Sequence, residues 1–127
     1  MLHPLLDTWY TRAFFRDHLF FGISSAALFA HAAVWLLLFL GFDTIYTSDR
    51  EYITLHYKIL FGTDFVAQWF VIFLVPLVGL FVLIVNFILE RTLYHIERRL
   101  AYALAAAALA VNSILIFALY LLLQVNL

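Results

Sequence analysis

The stretch LFFGISSAALFAHAAVWLLLFLGF, residues 19–42, contains no Asp, Glu, Lys or Arg. Two more stretches share this property, residues 65–89 and residues 100–124. An α-helix needs about 20 apolar residues to cross the hydrocarbon core of a bilayer. Within that core every backbone amide must find its hydrogen-bond partner inside the segment. The sequence therefore predicts an all-α integral membrane fold with three transmembrane helices.

The composition supports the same class of protein. Of the 127 residues, 67% are hydrophobic and 12% are charged, and the mean hydropathy is +1.04. A soluble domain is nearer half apolar and a quarter charged. The formal net charge of −1 gives no basic field that would attract nucleic acid, so no nucleic-acid partner is expected. The chain has no cysteine, which excludes disulfides, thiolate nucleophiles and thiolate metal sites.

The segments between the apolar stretches complete a single membrane domain over residues 1–127. Residues 1–18 carry leucines and aromatics at helical spacing beside charged residues, which favours an interfacial helix over a frayed polar leader. Residues 43–64 are expected to form an external loop that is polar at first and then rich in β-branched and aromatic side chains. Residues 90–99 are expected to form a short basic loop. The charged residues of the short loop, such as Glu90 and Arg91, are expected to anchor the helix ends at headgroup depth.

The distribution of basic residues predicts the orientation. Five arginines lie on the side of the amino terminus and the 90–99 loop, and two basic residues lie on the other side. Positively charged loops stay in the cytoplasm. We therefore expect a multi-pass protein of the cell (inner) membrane, with a cytoplasmic amino terminus and an external carboxyl terminus. The first group is Arg12, Arg16, Arg91, Arg98 and Arg99; the second is Arg50 and Lys58.

Polar residues within the spans form a candidate layer near the membrane midplane. At 1.5 Å per residue, His31 and Asn112 each lie about 18 Å from the predicted cytoplasmic end of their helix, and Pro76 lies at about 20 Å. In one interpretation His31 binds a metal or haem, or relays protons. In the other, which the sequence favours, His31 bonds Asn112 or Ser113 across helices. Asn112 and Ser113 could also satisfy carbonyls loosened by Pro76. No catalytic, cofactor or metal site is assigned.

Small residues predict which helix faces pack together, because helices associate in lipid by close approach of their backbones. The second span carries bulky phenylalanines instead, suited to lipid or a partner. We expect the cytoplasmic halves of the first and third spans to touch. The small residues are Gly22, Ala26 and Ala30 on the first span, and Ala101, Ala105 and Ala108 on the third.

The external loop carries a second candidate motif. Residues 52–61 are rich in β-branched and aromatic side chains, which favours a strand or an extended segment, and Gly62 permits a sharp turn. His56 and Asp64, with Tyr57 and Gly62, could form a ligand pair, a docking epitope for a partner, or a loop that seals the outer end of the bundle. The sequence favours the last.

The stretch LHYKILFGTDF (Leu55–Phe65), followed by VPLVGL (Val75–Leu80) and LIVNFILE around Asn86, resembles a family of small three-span membrane proteins from candidate-phylum bacteria. Its pattern is L-H-Y-x-x-x-F-G-x-D, then P-L-x-G, then Asn, and this chain departs from it at Lys58 and Ile59. The resemblance implies the three-span topology and no activity. The matching positions are Leu55, His56, Tyr57, Phe61, Gly62, Asp64, Pro76, Leu77, Gly79 and Asn86.

Three classes of function follow from these features. The favoured one is a non-enzymatic accessory or scaffold subunit, whose partners are the lipid bilayer and other membrane subunits or copies of itself. The alternative is a homo-oligomeric channel or small transporter, with His31 and Asn112 at a constriction. An enzyme is the weakest hypothesis, because no motif for a nucleophile, a phosphate loop or a metal is present.

Overall fold

The structure is a computed structural model that describes residues 16–46, 52–58 and 62–126. It contains three helices, α1 (His18–Tyr46), α2 (Leu74–Leu93) and α3 (Arg98–Asn126). Two antiparallel strands, β1 (Tyr52–Lys58) and β2 (Gly62–Gln68), connect α1 to a 3₁₀ turn, Trp69–Phe73. The interfacial helix expected in residues 1–18 lies almost wholly outside the described residues.

Three stretches are long and apolar enough to cross a membrane: His18–Asp43, Trp69–Leu93 and Arg98–Asn126. This arrangement is compatible with a multi-pass membrane protein. We call the end of the bundle at residues 94–97 the turn end, and the end at the strands the hairpin end. Since the connection 94–97 is so short, α2 and α3 are antiparallel neighbours.

The second span begins later than the sequence predicts. Residues 65–68 were expected to open the helix, but they belong to β2, where Ala67 pairs with Ile53 and Gln68 pairs with Tyr52. The 3₁₀ turn then precedes α2, and Pro76 is the third residue of α2. A proline lacks an amide hydrogen and its ring crowds the carbonyl four residues earlier, which disfavours a continuous α-helix ahead of it.

The third helix is the centre of the bundle. Its contact with α1 is the most extensive, its contact with α2 comes next, and α1 touches α2 least. Buried positions in both α1 and α3 recur at alternating steps of three and four residues, the spacing of left-handed helix packing. They include Phe20, Ala27, His31, Val34 and Leu38 on α1, and Ala101, Ala105, Ala108, Asn112 and Leu119 on α3.

This spacing corrects the packing face predicted for α1. Gly22 is exposed, and a Cβ built on it would meet nothing within 4 Å. Ala26 and Ala30 are only half-buried, whereas Ala27 is buried. Small residues at a strict step of four are typical of helices that cross in a right-handed sense. The buried residues of this bundle instead recur at alternating steps of three and four, as in left-handed packing. On α3 the three predicted alanines, Ala101, Ala105 and Ala108, are buried.

The interior has three layers along the bundle axis. At the turn end, Phe20 and Tyr94 pack with Ala101 and Ala105. At the hairpin end, a larger apolar cluster joins α1, the 3₁₀ turn and α3. Between them lies the polar layer of His31 and Asn112. The hairpin-end cluster consists of Val34, Leu38, Ile72, Leu119 and Leu123.

Candidate functional site

The polar layer joins α1 to α3 by one direct hydrogen bond. His31 Nδ1 lies 3.0 Å from Asn112 Oδ1. Trp35 Nε1 donates to His31 Nε2 at 3.1 Å, and Asn112 Nδ2 donates to the Ala108 carbonyl at 2.9 Å. His31 is 5% exposed and Asn112 is 0% exposed. The layer is therefore enclosed within one copy of the chain.

The donors of the layer fix where its protons lie. An indole N–H can only donate, so Nε2 of His31 accepts from Trp35 and the ring proton sits on Nδ1. Nδ1 then donates to the Asn112 oxygen, and the Asn112 amide donates onward to a backbone carbonyl. Each donor has one committed acceptor. We call this set of paired groups the latch between α1 and α3. Its interhelical hydrogen bond stabilises the bundle by on the order of 0.6–2 kcal/mol.

Gly79 brings α2 into the same layer. A Cβ built on Gly79 would lie 2.8 Å from Asn112 Oδ1 and 3.0 Å from His31 Nδ1. Real side chains do not approach that closely, so glycine lets α2 lie directly on the hydrogen bond between the other two helices. Pro76, one turn earlier, is also buried. All three helices therefore meet at this level.

Two of the expected roles in the layer are wrong. Ser113 is exposed and donates to the Leu109 carbonyl of its own helix at 2.8 Å. Asn112 likewise donates within α3, so neither residue satisfies a carbonyl of α2 beside Pro76. The reason is geometric: Ser113 is 100° from Asn112 around an α-helix of 3.6 residues per turn, and so it faces away from the seam.

The external motif is described only as backbone. His56 is opposite Phe65 in the strand pair, one residue from Asp64, and Tyr57 is opposite Thr63. Gly62 is opposite Lys58 at the start of β2. The register shifts on both sides of His56, which marks bulges in this pair. The side chains of His56, Tyr57 and Asp64 lie outside the described part of the structure.

A second polar cluster, which we call the Asp17 clasp, lies at the turn end. The Asp17 carboxylate accepts hydrogen bonds from the Tyr94 hydroxyl at 2.8 Å and the Tyr102 hydroxyl at 2.7 Å. It also forms an ion pair with Arg98, whose Nε lies 3.1 Å from Oδ2. The Phe20 amide donates to Oδ1 at 3.2 Å, so the same carboxylate caps α1. The clasp thus ties the start of α1 to the end of α2 and the start of α3.

The electrostatics of the clasp favour a charged carboxylate. The Asp17 side chain is 7% exposed. Burial alone would raise its pKa, but the hydrogen bonds from Tyr102, Arg98, the Phe20 amide and Tyr94 outweigh that effect and hold the pKa of Asp17 well below its ordinary value. Burial and the hydrogen bond to Asp17 raise the pKa of Tyr94. The clasp is therefore built around one retained negative charge.

The sequence contained signals for this clasp. Asp17 lies two residues before the first apolar stretch, where an N-cap is expected. Tyr94, Arg98 and Tyr102 follow one another at steps of four, the spacing of one face of a continuous helix. In the structure Tyr94 lies in the turn before α3, and Arg98 and Tyr102 lie in the first turns of α3. Phe20, whose ring lies 5.1 Å from the Tyr94 ring and 5.4 Å from the Tyr102 ring, completes the packing. The sequence could not reveal that the cap and the tyrosine face meet.

Glu90 differs from the expected role of a headgroup anchor. It is 3% exposed, and its Oε2 accepts a hydrogen bond from Ser24 Oγ at 3.2 Å. The bond joins α1 and α2 near the turn end. Its neighbour Arg91 is exposed, as an anchor would be. A position next to charged residues gave no sign that this carboxyl turns inward.

Within residues 16–46, 52–58 and 62–126, no group of three or more His, Cys, Asp or Glu side chains could hold a metal ion. Comparisons with protein-family models, with curated proteins and with solved structures give no match to this chain. The geometry described above therefore carries the functional argument.

Proposed function

We propose that this chain is a non-enzymatic accessory or scaffold subunit of a larger membrane assembly. The observation that supports it is the orientation of the polar layer. In a pore built from several copies, His31 and Asn112 would face a shared axis. Here they bond to each other inside one three-helix unit, and their exposed fractions are 5% and 0%. The channel or small-transporter alternative is disfavoured on this ground.

The outer surface supports the same proposal. Each helix presents large apolar side chains outward: Phe29 on α1 is 75% exposed, Phe81 on α2 is 68% exposed and Phe117 on α3 is 64% exposed. Such side chains suit lipid or the helices of another membrane subunit. A bundle with a closed interior and an apolar exterior offers surfaces for assembly.

The proposed orientation has the turn end in the cytoplasm of the cell (inner) membrane and the carboxyl terminus outside. The charge pattern supports it. Arg16, Arg91, Arg98 and Arg99 lie at the turn end, where the positive-inside rule would have them. Arg98 is partly neutralised by Asp17, but acidic residues contribute little to this rule.

Native mass spectrometry after mild-detergent extraction from the native membrane tests the proposal. We expect a hetero-complex of defined stoichiometry in which this chain is one subunit. A His31→Gln variant should leave that stoichiometry unchanged, because His31 is internal. A homo-oligomer that conducts ions in planar bilayers, with conductance altered by His31→Gln, would contradict the proposal and favour the channel.

A further inference from the structure

An apolar cleft separates α1 from α2 in the half of the bundle nearest the turn end. Its volume is about 420 Å³. Its walls are apolar apart from Ser24 and Ser25 of α1. Residues that line it include Phe21, Ser24 and Leu28 of α1, and Leu80, Ile84 and Phe87 of α2.

The two helices touch elsewhere, so the cleft has a closed inner end. At the polar layer, a Cβ on Gly79 would lie 3.0 Å from His31 Nδ1. Towards the hairpin end, the Phe42 ring of α1 lies 5.8 Å from the Trp69 ring and 5.7 Å from the Phe73 ring, both in the 3₁₀ turn that leads into α2. The cleft therefore begins near the turn end and stops at the midplane.

The length of the cleft matches one leaflet. Its α1 wall runs from Phe20 to Leu28, which is about 12 Å at 1.5 Å per residue. Half of a hydrocarbon core is about 15 Å thick. A partner transmembrane helix would continue through the other leaflet, where α1 contacts the 3₁₀ turn that precedes α2. A single acyl chain ends at the midplane, as the cleft does.

A buried carboxyl lies next to the turn end of the cleft, behind the lining residue Ser24 and not itself part of the lining. Glu90 is 3% exposed and is bonded to Ser24, which itself lines the cleft. Among the described residues, Ser24 is the one side chain that donates to it. A carboxylate offers about four acceptor sites, and a buried carboxylate is normally paired with a cation. A ligand that brings an ammonium group would supply that pairing.

We propose that the cleft binds one acyl chain of a membrane lipid whose headgroup carries a primary ammonium, with that ammonium on Glu90. A primary ammonium has three N–H donors for the free acceptor sites of the carboxylate. A quaternary ammonium has none, and an anionic headgroup is repelled. The site does not depend on the chain being an accessory subunit.

The test is lipid retention by the full chain. The protein is reconstituted in vesicles of equal phosphatidylethanolamine, phosphatidylcholine and phosphatidylglycerol, extracted mildly, and weighed by native mass spectrometry. We expect retained phosphatidylethanolamine to exceed each other lipid at least fivefold. Glu90→Gln should reduce that preference to less than twofold. Ile84→Trp should fill the cleft and abolish retention. Leu77→Trp, at a similarly exposed position of α2 outside the cleft, should match the wild type.

Other outcomes would overturn the proposal. Equal retention of the three lipids would remove the headgroup assignment. A preference that survives both Glu90→Gln and Ile84→Trp would locate the lipid elsewhere. A photo-crosslinker at position 84 identifies the occupant directly, because the proposal requires an adduct with lipid. An adduct with a second copy of this chain, or with another polypeptide, would assign the cleft to a protein partner.

Discussion

Gly79 is the residue on which the three helices converge, because its hydrogen occupies the space above the His31–Asn112 bond. We predict that Gly79→Ala destabilises the bundle by about 1–3 kcal/mol, the usual cost of overpacking. The added methyl would lie 2.8 Å from both Asn112 Oδ1 and Leu115 Cδ1. SDS-titration unfolding in mixed micelles measures the loss.

Gly22→Ala is the matched control for that substitution. It also adds a methyl to a helical glycine, but nothing lies within 4 Å of the new atom. We expect no loss of stability for Gly22→Ala. Equal stability of the two variants would contradict the close approach of α2 to the polar layer.

The His31–Asn112 bond is also open to direct measurement. His31→Ala alone leaves the Trp35 indole and the Asn112 oxygen without their partner, and a buried unsatisfied group costs about 1–3 kcal/mol. A double-mutant cycle with His31→Ala and Asn112→Ala should give a coupling of about 0.6–2 kcal/mol. A coupling near zero, or a His31→Ala protein as stable as the wild type, would contradict the latch.

At the scale of elements, the Asp17 clasp predicts a dependence of stability on pH. The pKa of Asp17 is held below its ordinary value of about 3.9 in the fold. Its stabilisation is therefore fully present above about pH 5 and is lost as the pH falls below about 4 towards the folded pKa. In nanodiscs, the midpoint temperature of thermal unfolding should be higher for the wild type than for Asp17→Asn at pH 7. The difference between the two midpoints should shrink as the pH falls below about 4.

A second variant separates the clasp from other carboxyl groups. Tyr102→Phe removes one donor to Asp17, which raises the pKa of that carboxyl relative to the wild type. Its acid loss should begin at the same pH as in the wild type, near the ordinary pKa of an aspartate, but should be smaller and should be complete at a higher pH. A gap between wild type and Asp17→Asn that stays constant from pH 7 to pH 3 would contradict the clasp.

The seam between α1 and α3 predicts a contrast between neighbouring alanines. Ala105 is 0% exposed and packs with Phe20 and Tyr94, whereas Ala106 faces outward. We predict that Ala105→Leu destabilises the bundle by about 1–3 kcal/mol and that Ala106→Leu has no effect. Equal effects in the SDS titration would mean that α3 is rotated from the described orientation.

The elements differ in how far their sequences determine them. The three apolar stretches predicted three helices, because length and the absence of charge suffice for that inference. The start of α2 could not be predicted, because residues such as Phe65 and Gln68 carry no charge and resemble the helical residues that follow them. They belong to β2 only because they pair with β1, and a long-range pairing of this kind leaves no local signal in the sequence. The face of α1 was misread by one residue, because Gly22, Ala26 and Ala30 are small but the seam follows alternating steps of three and four.

At the scale of the whole molecule, the proposed topology can be tested without background, because the chain has no native cysteine. Two single-cysteine variants serve as reporters. Ile96, at the turn end, is 74% exposed and is replaced in Ile96→Cys; Gln68, at the hairpin end, is exposed and is replaced in Gln68→Cys. We predict that a membrane-impermeant maleimide added to intact cells labels position 68 and not position 96. The reverse pattern would invert the orientation.

The two residues of each polar contact lie far apart in the sequence, and this separation sets the order in which the contacts can form during synthesis. His31 is 81 residues from Asn112, and Asp17 is 77 residues from Tyr94. At a synthesis rate of about 5–20 residues per second, Asn112 is made roughly 4–16 s after His31, the residue to which it bonds. During that interval His31 can keep its bond from Trp35 of the same helix, but its Nδ1 lacks the Asn112 acceptor. Until α3 arrives, neither polar contact can form, so the nascent chain passes through a stage in which α1 and α2 lack the helix that joins them.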